Sequence, residues 1–415
     1  MKASSTLFAI FIVVISTAGA QVVPSIEGPY YRLPISGTLH YDLRYTQTAD
    51  FYEGYTEQIG TASGELAYAN TSAVHPLALV YSGGDSWAIS GPPNETGVFQ
   101  HMLVSDGLVR RDWSLKLMDE ASYTPQAPVT GFSGIPGVGT LPGQPGFPTQ
   151  PILTQNLRSV GNTVGPDFTH TIGHATSLVF GGRYSILRFP DGIGLATDSV
   201  QANGQINRRL DALNSIFGQY VYGYFSYPAY PQLTMDTQSA LFGYLRTWTR
   251  QFKTSVSAGP EWIQSSNNPL VPPSTSLTAN ASATYALRTS TTATVSYLRG
   301  VTGGAGEATE VAIHNNDVTG AITQLFGRKW TITATGSYMR TQGFALQLDQ
   351  TVATNAELGG VSATRRFGRY FTAFANYTAI QQSSNLGLGA NVVNGLSQVV
   401  GFGVAYSPRD INLKK

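Results

Sequence analysis

The sequence predicts an all-β fold: a transmembrane antiparallel up-and-down β-barrel of about 18 strands (roughly 16–18), with one long Gly/Pro-rich loop. Three observations predict it. Apolar and polar residues alternate with a period of two. The connections fall into a short basic set and a longer Gly/Pro-rich set that take turns along the chain. Aromatic residues mark both ends of many of the alternating stretches.

The first twenty residues stand apart. Lys2 gives a basic start, Leu7–Ile15 is an apolar run of nine residues, and Ala18-Gly19-Ala20 places small side chains before Gln21. Residues 1–20 therefore read as a cleaved secretory signal peptide, and 21–35 as a periplasmic segment that leads into the barrel. Nine apolar residues fall short of the roughly 20 that a spanning helix needs. No later stretch is apolar enough for such a helix. A chain that enters lipid without helices must close into a barrel, because every backbone amide there needs a partner. The absence of cysteine excludes disulfides, thiolate metal centres and Cys nucleophiles. The 25 basic and 24 acidic residues nearly cancel, so charge gives no argument for a nucleic-acid partner. Charged residues are only 12% of the chain, while Gly, Tyr and hydroxyl residues abound. That balance suits a sheet with one wet face and one apolar face.

Residues 36–407 carry the alternation. In Trp330–Tyr338 every even position is apolar or Gly and every odd position bears a hydroxyl. Ala279, Ala281, Ala283, Tyr285 and Leu287 oppose Thr278, Asn280, Ser282 and Thr284. Val400, Phe402, Val404 and Tyr406 oppose Gly401, Gly403 and Ala405. Such runs argue strands with two unlike faces. The expected strands are 36–46, 60–70, 76–90, 97–108, 112–123, 155–170, 175–189, 196–207, 213–226, 234–249, 253–264, 277–287, 291–299, 310–325, 330–341, 356–366, 370–381 and 397–407. Helical spacing is nowhere sustained; the one short candidate is Asn207–Ile216.

The short connections hold Arg110-Arg111, Arg208-Arg209, Arg250–Lys253, Arg288, Arg328-Lys329 and Arg365-Arg366 through Arg369. The longer ones are 91–96, 124–154, 190–195, 227–233, 265–276, 300–309, 342–355 and 382–396. Up-and-down barrels sort their connections this way, with short turns on the periplasmic side and long loops outside. An even strand number returns both termini to the periplasmic side and leaves 408–415 as a tail. Trp113, Trp248, Phe252, Trp330, Tyr370 and Phe371 lie beside the short turns, and Tyr123, Tyr297, Tyr338 and Tyr377 toward the other end. Trp330 and Tyr338 share a face about 26 Å apart along the strand, at about 3.3 Å per residue. This matches two aromatic girdles around an apolar band better than the core of a sandwich, whose strands are shorter.

Residues 125–151 break the pattern with repeated Pro and Gly. Such a segment cannot pair as a central strand. It is uncharged yet holds Phe132, Ile135, Leu141 and Phe147, so it is expected to pack as a constriction of the lumen, a lid over it or a partner-facing surface, the alternative being a loop without fixed packing.

A resemblance follows from four stretches. Tyr123-Thr-Pro-Gln-Ala-Pro-Val-Thr-Gly-Phe-Ser-Gly-Ile-Pro-Gly, Tyr297-Leu-Arg-Gly-Val-Thr-Gly-Gly-Ala-Gly, Phe326-Gly-Arg-Lys-Trp and Val400-Gly-Phe-Gly-Val-Ala-Tyr-Ser-Pro-Arg resemble the outer-membrane β-barrel proteins common in Acidobacteria, over residues 36–409. The resemblance implies location and architecture. That family is mostly of unassigned function, so it implies no activity. One departure is that Tyr406 closes the last strand but nine residues follow it, whereas outer-membrane barrels often end on an aromatic residue.

The sequence offers little catalytic or ligating chemistry. His170 and His174 have helical metal-ligand spacing, but their flanks are β-like and no carboxylate accompanies them. Gly303-Gly304-Ala305-Gly306 lacks the Lys-Ser/Thr and the helix of a phosphate loop. Gly131-Phe132-Ser133-Gly134 has the wrong spacing for a nucleophile elbow. Asp119 and Glu120 are adjacent on a strand and so face opposite sides. No catalytic, cofactor-binding or metal-ligating residue is assigned, and no enzyme activity is expected. The better functional candidates face the lumen, where they either tune ion selectivity or serve a structural role by pairing across the interior, as buried charges usually do. His40, Asp42 and Arg44 alternate with Leu39, Tyr41 and Leu43, and Lys116 lies between Leu115 and Leu117. On the lipid face each charge would cost about 2–4 kcal/mol near the midplane. The sequence thus leads to an outer-membrane, porin-like channel for passive or facilitated passage of small polar solutes, sugars among them. The alternatives are a structural or surface-interaction protein with a filled lumen and, more weakly, a component of polysaccharide export. The expected partners are outer-membrane lipid, the barrel-assembly machinery, the solutes and, as one option, further copies of the chain.

Overall fold

The computed structural model describes residues 37–52, 55–91, 97–124, 158–190, 196–266, 273–288, 290–302, 310–327, 329–345, 350–384, 394–409 and 411–412. They form β1 (Thr38–Tyr52), β2 (Tyr55–Thr71), β3 (Pro76–Ser90), β4 (Gly97–Val109), β5 (Trp113–Thr124), β6 (Ser159–Ile172), β7 (Thr176–Arg188), β8 (Thr197–Arg209), β9 (Asn214–Ser226), β10 (Thr234–Thr247), β11 (Phe252–Ser266), β12 (Ser274–Arg288), β13 (Thr291–Thr302), β14 (Glu310–Phe326), β15 (Trp330–Ala345), β16 (Gln350–Phe367), β17 (Phe371–Ser384), β18 (Gly395–Tyr406) and the short β19 (Ile411–Asn412). From β1 to β18 each strand pairs antiparallel with the next, and β18 pairs back onto β1 from Leu43↔Tyr406 to Tyr52↔Ser397. The result is a closed all-β barrel of eighteen wall strands. Closure removes the two open edges that a sheet of this size would otherwise expose.

All eighteen expected strands are present, and the differences lie at their ends. β1 and β2 run on to the Tyr52↔Tyr55 pair, through a stretch that sequence reading left unassigned. Gln47, Thr48, Gln58 and Thr61 put polar groups on both faces there, which hides the alternation. For the same reason β15 and β16 extend to Ala345↔Gln350, so the expected loop 342–355 shrinks to 346–349. Asn207–Ile216 is not a helix: β8 ends at Arg209 and β9 starts at Asn214. Part of the expected tail is also in the sheet, since Ile411 and Asn412 pair with Leu39 and Thr38 of β1.

Register and burial assign the two faces. On β15, Met339 and Thr341 are buried while Tyr338 and Trp330 are exposed. On β1, His40, Asp42 and Thr46 are buried while Leu43 and Tyr45 are exposed. Followed around the barrel through the strand pairs, the buried set forms one inward face of hydroxyl, amide, charged and small residues. The exposed set forms an outward face rich in Leu, Val, Ile and aromatics. Trp113, Phe252, Trp330 and Phe371 at the short-turn end, and Tyr123, Tyr297, Tyr338 and Tyr377 at the other, all fall outward by register. Rings cluster at the short-turn end, with Phe371 5.1 Å from Tyr406 and the Arg246 guanidinium 3.9 Å above Trp248.

The short-turn rim is stitched sideways. The last connecting residue before a strand accepts an N–H from the next strand but one: Thr171 N→Asp112 O, Arg209 N→Ala175 O, Thr247 N→Leu213 O, Ala286 N→Gln251 O, Leu325 N→Ser290 O, Arg366 N→Lys329 O and Ser407 N→Tyr370 O, all at 2.7–2.9 Å. Gly173, Gly327 and Gly368 supply the positive φ (65°, 61° and 62°) that these tight turns require. Two Gly-Pro dipeptides interrupt the ladder. Pro166 pairs with Leu117 of β5, but the β6–β7 register skips Gly165 and Pro166. Pro260 pairs with Leu277 of β12, but the β10–β11 register skips Gly259 and Pro260. In both cases the neighbour that would receive the missing N–H loses its pairing.

Candidate functional site

The candidate site is the inward face of the barrel. His40, Asp42 and Arg44 share that face of β1, and Asp42 is directly opposite Glu65 of β2. Arg44 Nη2 donates to Asp42 Oδ2 at 2.9 Å and lies 3.6 Å from Glu65 Oε2, with all three side chains at most 7% exposed. A guanidinium between two carboxylates keeps charge in the wall without leaving a lone buried ion. Lys116 of β5 has Asp167 of β6 as its register partner. Asp167 Oδ2 in turn accepts from Arg183 Nη2 of β7 at 2.6 Å. The four expected charged positions therefore belong to two separate inward groups, one on β1–β2 and one on β5–β7. The other candidates, Phe132, Ile135, Leu141 and Phe147 in 125–151, lie outside the described residues.

Sequence reading missed three features of this face. The first is a contact between His101 Nε2 of β4 and Glu120 Oε1 of β5 at 2.8 Å. Its neighbour Asp119 faces out and accepts from Asn162 Nδ2 at 2.8 Å, as strand alternation requires. The second is a set of inward carboxylates held by neutral donors. Ser397 Oγ donates to Asp50 at 3.0 Å, Thr319 Oγ1 to Asp317 at 3.3 Å, and the Val301 amide to Glu261 at 3.3 Å. A lone acid within a Thr/Ser-rich strand gives little sequence signal, because its face is known only once the register is fixed.

The third is an apolar cluster at the long-loop end. Phe225, Tyr227, Leu233, Met235, Ile263 and Val301 pack together with each at most 6% exposed, and Tyr230 packs against them. Phe225 of β9 and Met235 of β10 are directly opposed on the inward face. The connection 227–233 folds as two successive turns (Tyr230 N→Tyr227 O and Leu233 N→Tyr230 O, both 2.8 Å) that carry Tyr227 and Leu233 into the cluster. Burial pushes the Tyr227 phenol well above its usual pKa, so it stays neutral. The available signal was the composition of Tyr-Pro-Ala-Tyr-Pro-Gln-Leu, which is uncharged and aromatic where a solvent loop would be polar.

His170 faces outward on β6, and the His174 carbonyl in the next turn accepts from Arg209 Nη2 at 3.1 Å. Among the described residues no group of three His, Cys, Asp or Glu side chains is placed to hold a metal ion.

No family model and no curated protein matches the chain. Solved barrels of similar fold do. Pseudomonas aeruginosa OccK2 (OpdF) is 10% identical, with 90% of this chain and 98% of that one aligned and a TM-score of 0.48. P. aeruginosa OccK5 (OpdH) is 9% identical over 91% and 98%, with a TM-score of 0.49. Acinetobacter baumannii OccAB4 is 9% identical over 91% and 99%, with a TM-score of 0.48. OccK2 has also been solved in complex with glucuronate.

Proposed function

We propose that this chain is an outer-membrane channel for small polar solutes, not an enzyme. The observation that carries the reading is the two-faced wall: a closed sheet of eighteen strands with an apolar, aromatic-edged outside and a charged and hydroxylated inside. A wall of this kind is stable only with lipid outside, and eighteen strands enclose enough width for an aqueous path. Selection would rest on width and on lumen charge, with His40, Asp42, Arg44 and Lys116 among the groups a solute passes. Two elements on the long-loop side are suited to narrow the path: the 227–233 connection, and 125–151 through Phe132, Ile135, Leu141 and Phe147. The test is reconstitution in planar bilayers. Stepwise conductance that grows when 125–151 is deleted supports the channel and the role of that segment. Absence of steps in both forms refutes the channel.

A second reading is favoured by one observation. Tyr227, Leu233 and Met235 are essentially fully buried inside the loop end. If that packing seals the barrel, the protein is a surface scaffold. A sealed barrel gives no conductance, and removing these side chains opens it.

A further inference from the structure

Charge is distributed unevenly along the barrel axis. On the inward face the bases Arg44, Lys116 and Arg183, with Arg209, Lys253 and Arg366 at the short-turn rim, sit near or below the middle of their strands, counted from the short-turn end. Arg44 and Arg183 are each held by acids within 3.6 Å. In the loop-side half stand Asp50 of β1, Glu261 of β11 and Asp317 of β14, on three well-separated parts of the wall. Their hydrogen bonds come from Ser397, Ser276, Val301 and Thr319, which are all neutral. Among the described residues no cation lies within 4.0 Å of these three carboxylates.

The connections carry the same polarity in sequence. Those between strand ends on the long-loop side hold Glu53, Glu95, Asp191, Glu307 and Asp349 against one base, Arg158. Those on the short-turn side hold Arg110, Arg111, Arg250, Arg328, Lys329 and Arg369 against Asp112 and Asp211.

A third observation is independent of net charge. Glu65 Oε1, Ser296 Oγ, Asn315 Oδ1 and Thr341 Oγ1 are buried oxygens on the inward face with no hydrogen-bond partner among the described residues. The Glu65 and Asn315 oxygens accept and do not donate, and the Ser296 and Thr341 hydroxyls can do either, so such a wall offers acceptors to cations and donor groups. Fields from like-signed charges along a low-dielectric wall add up and concentrate counter-ions.

We infer that the channel is cation-selective, and that small cationic solutes are the class it passes best from the long-loop side. The inference rests on the channel reading. The test is the reversal potential of the reconstituted full chain under a tenfold KCl gradient at neutral pH, together with block by spermine, a polycation. The expected permeability ratio K⁺:Cl⁻ is about 3 or more, since fields of this kind change local ion concentration roughly tenfold. Asp50→Asn, Glu261→Gln and Asp317→Asn together should bring it close to unity. Spermine should block more strongly from the long-loop side than from the other. If the triple variant does not fold, the spermine asymmetry and the single variants read the same property. Conductance with a ratio at or below unity, or block that is equal from both sides, overturns the cation preference and leaves the channel intact. No conductance under any condition overturns both.

Discussion

Arg183 of β7 reaches back to β6, where its Nη2 lies 2.6 Å from Asp167 Oδ2 and its Nη1 lies 3.1 Å from the Pro166 carbonyl. The second contact falls where the Gly165-Pro166 interruption leaves the β6–β7 ladder unpaired, so the guanidinium stitches a gap in the backbone pairing. Asp167→Asn removes the charged half of this clasp and the acid opposite Lys116. Both partners are partly solvent-accessible, at 20% and 31%, so screening limits the loss to about 1 kcal/mol. The urea midpoint of the vesicle-folded barrel measures it. A loss of several kcal/mol would mean that the pair is far drier than its exposure indicates.

The Asp42–Arg44–Glu65 group predicts a larger effect. Its three side chains are nearly inaccessible, and Arg44 is the cation between two acids. Arg44→Ala leaves those acids facing each other in the wall, at a cost of about 3–5 kcal/mol. The triple change Asp42→Asn, Arg44→Gln, Glu65→Gln removes all three charges and should cost much less. Equal losses in the two variants would show that shape, and not charge balance, holds this part of the wall.

The wall was legible in the sequence because one face of each strand is apolar and the other polar. Trp330–Tyr338 displays that contrast residue by residue, and β15 is where it was expected. The contrast fades above the apolar band, where Gln47, Thr48 and Gln58 make both faces polar, and there the strand ends were misplaced. The site was legible only in part. Arg44 between Asp42 and Glu65 needs the register of β1 on β2, which no local pattern encodes. The 227–233 cluster needs side chains from β9, β10, β11 and β13 to meet across the interior.

Glycine at two strand positions is required by close approach. A Cβ on Gly165 would run into the Gly182 carbonyl oxygen, and one on Gly259 into the Ala240 carbonyl oxygen. Backbone atoms cannot step aside as a flexible side chain can. Gly165→Ala and Gly259→Ala should each destabilise the barrel by about 1–3 kcal/mol. Gly359→Ala is the control: nothing lies within 4 Å of its added carbon. That change should be neutral or stabilising by about 0.5 kcal/mol. The unfolding midpoints of both strand variants should fall below that of Gly359→Ala.

Asp211 in the β8–β9 turn accepts from the Leu213 amide at 2.7 Å, the Asn214 amide at 2.9 Å and Asn214 Nδ2 at 2.7 Å. These donors, led by the Asn214 side chain, favour the ionised form and hold its carboxyl below the usual range. A depressed folded-state pKa means that the turn's gain is fully present above the unfolded value and is lost as pH falls through the folded one. At neutral pH the turn is ordered. Protection of the Leu213 and Asn214 amides, relative to intrinsic exchange at each pH, should fall only on acidification below the ordinary aspartate range. In Asp211→Ala it should be low at every pH. Protection that persists in Asp211→Ala would place the turn's order in Leu210 N→Asn214 O and not in the carboxylate.

Tyr227 and Leu233 are each only 1% exposed, and Met235 beneath them is fully buried, so their contacts are made inside the loop end of the barrel. Truncating a large buried side chain here removes about 2–5 kcal/mol of local packing. The loss should not unfold the barrel, because β9 and β10 keep their complete pairing from Arg246↔Asn214 to Thr234↔Ser226. The connection should instead release from the interior. Tyr227→Ala with Leu233→Ala is therefore expected to raise single-channel conductance and expose 228–232 to protease added from the long-loop side, with an unchanged strand signature in circular dichroism. Unchanged conductance in a folded double variant would mean that the cluster lines the wall without narrowing the path, and would leave the constriction to be sought in 125–151.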